Sequence, residues 1–130
     1  MSGRRLLAWA GAFLAGAAAG FSAGSAPSQS PPRMWAEVLL QRATDEIPRK
    51  VELHVRHDRW EPGAETGRHQ HPGPAILYIL EGELLEETRD GTVTLKPGQA
   101  VWRAARQEHN VRNRTGTLAR ALAIHLDPAQ

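Results

Sequence analysis

The chain has 130 residues, 41% of them hydrophobic and 23% charged, and no cysteine. Its length fits one domain, and its composition excludes wholesale disorder. The missing cysteines exclude a disulfide scaffold, an iron–sulfur site and any thiolate nucleophile or zinc ligand. Lys and Arg number 16 against 14 Asp and Glu, a formal net charge of +2, so a nucleic-acid reading depends on where the basic residues sit.

The first 26 residues read as an export signal. Arg4 and Arg5 form a charged start, residues 6–21 are uncharged and rich in Ala and Gly, and residues 22–26 are all small. That order is n-region, h-region and c-region. The apolar run has 16 residues, short of the roughly 20 that span a bilayer. Cleavage is expected after Ala26, and an uncleaved membrane anchor is the alternative. Residues 27–35, with Pro27, Pro31 and Pro32, read as a linker, and residues 36–130 as the folded domain. Removing Arg4 and Arg5 leaves 14 basic residues against 14 acids. The mature protein is then charge-balanced and expected in the periplasm or outside the cell. Arg103, Arg106, Arg112, Arg114 and Arg120 form a basic group with thin aromatic interleaving, so no nucleic-acid partner is expected.

Beyond the linker, residues 36–41 (AEVLLQ) predict a first strand. Residues 50–55 alternate, with Val51, Leu53 and Val55 on one face and Glu52 and His54 on the other. After a Gly/Pro loop, residues 68–71 predict a short strand ended by Pro72-Gly73-Pro74, and residues 75–80 (AILYIL) a buried one. Asp90-Gly91 between residues 83–88 and 92–95 marks a hairpin. Residues 100–103, 109–113 and 118–126 supply three more strands. Eight or nine short strands with no helix after residue 30 predict an all-β sandwich or barrel. A domain this small is helped by pairing with a second copy, and a homodimer is expected.

His69 and His71 are two apart, so on a strand both imidazoles project from one face, a spacing that can grip one metal ion. His109 opens a later strand and can face that pair across a closed barrel. His54, His57 and His125 have no partner at ligand spacing. The chain holds no Gly-rich phosphate loop, serine nucleophile elbow or carboxylate pair at useful spacing.

These residues also carry a resemblance. Gly63, His69, His71, position 75 and Gly82 follow the spacing G-x5-H-x-H-x3-E-x6-G. Gly98, positions 104 and 106, His109 and Asn113 follow G-x5-P-x-G-x2-H-x3-N. Both gapped motifs, in this order, resemble the cupin superfamily over residues 50–128. The resemblance implies a double-stranded β-helix, or jelly-roll, barrel preceded by the signal or anchor helix. It also implies a divalent transition metal (Fe, Zn, Mn, Ni or Cu) held by His69, His71 and His109. The family's ligating Glu is Ala75 here, and the Pro and Gly of the second motif are Ala104 and Arg106. Three-histidine iron occurs in some cupin-like dioxygenases, so the resemblance implies a small-molecule ligand and oxygenase-like chemistry. A metal-free small-molecule or sugar-binding module is the alternative. Glu65, four residues before His69, is a looser candidate for the missing carboxylate. By strand parity Ala75, Leu77, Ile79, Val111 and Asn113 are expected to line the pocket, with Arg103 as a candidate for a substrate carboxylate.

Overall fold

A computed structural model describes residues 30–130. The expected export segment and its cleavage point lie outside the described residues. No helix among the described residues is long and apolar enough to cross a membrane.

Among the described residues seven strands follow in order: β1 (Val51–Trp60), β2 (Ala75–Glu81), β3 (Leu84–Thr88), β4 (Gly91–Leu95), β5 (Ala100–Arg103), β6 (His109–Arg112) and β7 (Ala119–Pro128). They form a four-stranded sheet, β1-β7-β2-β5, and a three-stranded sheet, β4-β3-β6. Every pairing is antiparallel. The Asp90-Gly91 turn joins β3 to β4, with Gly91 at φ 134°, a conformation that glycine adopts without steric cost. Trp35–Gln130 is a compact unit.

Residues 36–41 are not a strand. A strand needs a ladder of backbone partners, and among the described residues nothing pairs with this segment. Residues 68–71 form only one bridge, His69 to His109. β1 runs five residues past its predicted end because β7 offers ten pairing positions, from Val51↔Pro128 to Trp60↔Ala119. Its alternation is real, but the apolar face points away from the interior: Leu53 is 60% exposed and Val55 62%.

Register explains this. Side chains directly opposite one another share a face, so Val55, Ile124, Ile76 and Trp102 form one row across the four strands. That row lies on the outer side. Inward rows run His54–His125–Ala75–Arg103 and Arg56–Ala123–Leu77–Val101. Trp60, Leu77, Ile79, Leu84, Leu95, Val111 and the β7 alanines Ala119, Ala121 and Ala123 make the core. The small alanines keep the β7 part of the interior shallow and leave room at one end of the barrel.

Candidate metal centre

Both sheets contribute to a pocket holding about 370 Å³ of free space, part of it open to solvent. Its histidines come from the two motifs. His69 N–H donates to His109 O at 3.0 Å, and His109 N–H donates back to His69 O at 2.9 Å. Such a reciprocal bridge sets the two side chains on one face. Two residues further along, His71 joins them. The turn after β5 is tied to it, because Arg106 N–H donates to His71 O at 2.8 Å. On the other side, the loop behind His71 is pressed onto β7. A Cβ on Gly73 would meet Leu126 O at 2.0 Å, so only glycine fits there.

The ligating atoms of His69, His71 and His109 lie within 4.8 Å of one another. His69 Nδ1 contacts Gly67 O at 2.9 Å, and His109 Nδ1 contacts Gln107 O at 2.8 Å. A carbonyl oxygen only accepts, so each Nδ1 carries a hydrogen, and in the neutral ring that leaves the lone pair on Nε2. His69 Nε2 and His71 Nε2 are 3.1 Å apart. Two nitrogens about 2.1 Å from one ion, at angles between tetrahedral and square, lie ~3.0–3.4 Å apart. Burial, followed by the neighbouring His125, His69 and His109, lowers the His71 pKa to about 4. Burial also lowers that of His109. Imidazoles, two of them oriented by backbone carbonyls, are the donor set of a divalent transition ion, and these three side chains fit one.

Ala75, Leu77, Arg103 and Val111 line the pocket, whereas two other residues expected there do not. Ile79 is fully buried in the core one turn of the pleat deeper. Asn113 is 1% exposed and serves the backbone: its amide donates to Trp60 O and Thr117 O, and its Oδ1 accepts from Thr115. Glu65 is engaged by Arg112 and Asn110 outside the pocket. Arg103 is buried and forms an ion pair through Nη1 with the buried Glu86. Burial raises the Glu86 pKa, and the Arg103 guanidinium opposes that shift.

Several pocket residues carried no motif signal. His125 packs its ring 4.3 Å from that of His71 and is 5% exposed. Neither of its nitrogens has a hydrogen-bond partner among the described residues. Behind the pocket wall, Glu86 arrives from the opposite sheet to pair with Arg103. Arg56 and Asp58, ion-paired at 2.7 Å, and Trp60 reach the pocket from β1. The alternation of β1 places Arg56, Asp58 and Trp60 on the face opposite Val55, and His125 is the inward residue paired with Ala75. Strand pairing is what assembles them.

Residues 56–125 match the cupin domain family. The chain belongs to the cupin family. A curated relative, the beta-alanine degradation protein BauB of Pseudomonas aeruginosa, is 46% identical over 66 residues, which is 48% of this cupin and 70% of the relative. Among solved structures, a cupin domain from Bordetella pertussis is 32% identical with a TM-score of 0.53, covering 64% of this chain and 88% of that one. A predicted oxalate decarboxylase from Thermotoga maritima is 26% identical with a TM-score of 0.55, covering 61% and 69%. The two sheets of this cupin are thus the halves of the family's β-barrel, and the histidine cluster lies inside it.

Proposed function

We propose that this protein is an exported small cupin that holds a divalent transition metal through His69, His71 and His109 and takes a small-molecule ligand in its barrel. The observation that carries this reading is the convergence of three imidazoles, two of them held by carbonyls at Nδ1. An ion there supplies Lewis acidity and open coordination positions. The protein's own residues do the rest. His69 and His109 hold their tautomers, and Trp60, Leu77 and Val111 keep water from the pocket walls. Three imidazoles leave the ion's charge uncompensated, which suits an anionic, chelating ligand and oxygenase-like chemistry.

A homodimer is part of the reading. On the outer sheet face Val55, Ile124 and Ile76 form an apolar row, and a second copy is the occupant proposed for it; Trp102 at its end is covered by Arg42 and Glu46 of the same chain. Export rests on the order of charged, apolar and small residues at the start of the chain, and N-terminal sequencing of the native protein should not begin at Met1.

The metal is tested on the full chain, purified without chelator or affinity metal. About one equivalent of transition metal is expected by mass spectrometry, with a large loss in His71→Ala. Less than about a tenth of an equivalent, even after reconstitution with Fe²⁺, Zn²⁺, Mn²⁺ or Ni²⁺, overturns the metal reading in favour of a metal-free binding module.

A further inference from the structure

Four buried polar atoms have no hydrogen-bond partner among the described residues: Glu86 Oε1, which lies in the ion pair with Arg103, and, facing the pocket, Arg103 Nη2 and both ring nitrogens of His125. The last three belong to one feature. Ala75 pairs with Arg103 on β5 and with His125 on β7, so these two side chains flank it in a single inward row. Neighbouring strands lie about 4.8 Å apart, which leaves a gap roughly two strand spacings wide floored by the Ala75 methyl. His71, against His125, borders the same gap.

We infer that the ligand is a small carboxylate, whose oxygens lie between the three imidazoles and the Arg103–His125 pair, in the space a carboxylate side chain at position 75 would take. The inference rests on the metal reading and names the ligand class for that site. A buried polar group without a partner is destabilising, so the row is built to receive one. Arg103 Nη1 is engaged by Glu86, which leaves Nη2 as a directional donor of the kind that recognises carboxylate. Glu86 offsets the Arg103 charge, and Arg56 is paired with Asp58. The pocket therefore offers one donor edge and the ion rather than a cluster of free cations. That matches one carboxylate better than a phosphate. The walls beyond, Leu77, Val111 and Ala123, are apolar, which suits a short carbon chain better than a sugar.

The test loads the full chain with Co²⁺ and titrates it with propionate, pyruvate and the uncharged methyl pyruvate, reading the visible Co²⁺ spectrum and binding heat. Saturable binding of the acids is expected, with methyl pyruvate weaker by about tenfold or more. Ala75→Glu is expected to keep or raise Co²⁺ affinity and to weaken the acids by about tenfold or more. Arg103→Lys keeps a cation beside Glu86 but removes the second donor. It is expected to bind Co²⁺ as the parent does and to lose the acids by a similar factor. Equal binding of acid and ester, or unchanged acid binding in Arg103→Lys, overturns the inference. If the parent takes up no Co²⁺, the three-histidine reading fails by itself, and the same calorimetry without metal decides the carboxylate. Heat that is lost in Arg103→Lys supports it, and no saturable heat up to about 10 mM acid overturns it.

Discussion

Removing the Arg103 guanidinium should expose how the barrel tolerates a buried charge. The Arg103 and Glu86 side chains are each 6% exposed, so neither is screened by water. Breaking a buried pair by deleting one partner costs about 3–5 kcal/mol. In a domain of this size each kcal/mol shifts Tm by about 4–8 °C, so Arg103→Met should lower it by at least ~12 °C near neutral pH. The loss should depend on pH. Burial already raises the Glu86 pKa against the opposing effect of Arg103, and in the variant that opposition is gone. A carboxyl whose folded pKa lies above its unfolded value binds its proton more tightly when folded, so stability falls as pH rises through that window. The variant should therefore be closest to the parent below the unfolded pKa of 4.5 and furthest from it near neutrality. Arg103 also lowers the His109 pKa, so its removal lets folded His109 hold its proton more tightly, which favours the variant at low pH and acts in the same direction. Arg103→Met with Glu86→Leu should recover most of the loss, because two apolar residues replace both charges. Circular dichroism melts of the three proteins at about pH 4.5 and 7.5 measure this. A cost below about 1 kcal/mol for Arg103→Met, or the same cost at both pH values, refutes the argument.

Two further outcomes follow from the backbone and the outer face. Arg106 holds φ 59°, where a side chain is strained, and it stands at the glycine position of the second motif. Arg106→Gly should raise the urea midpoint by a stability gain of about 0.5–1 kcal/mol while keeping the N–H bond to His71 O; an unchanged or lower midpoint contradicts the strain. Light scattering on the purified chain should give the mass of two copies, and Ile124→Lys, which puts a charge in the middle of the outer apolar row, should give that of one. A parent protein that is already monomeric removes the dimer from the reading.

Much of the fold is legible in the residues because strand signals are local. The Asp90-Gly91 turn, the apolar run at residues 75–80 and the segment at residues 100–103 need only their own neighbours to be recognised, and all three appear within a residue of their expected bounds. The His69/His71 spacing is equally local. Misreadings occur where a face had to be assigned. The alternation of β1 shows two faces but not which one turns inward, and the apolar one turns out. Asn113 has the parity of a pocket residue, yet the loop after β6 folds its amide onto Trp60 and Thr117.

The sequence by itself determined the family, the antiparallel strands and the three histidines, because gapped motifs and period-two patterns are written along the chain. Only the tertiary structure decided what surrounds them. His125 meets His71, and Arg103 meets Glu86, across pairings between strands or sheets far apart in sequence. Burial, which lowers the His71 and His125 pKa values and leaves Arg103 Nη2 without a partner, exists only once both sheets have closed around the pocket.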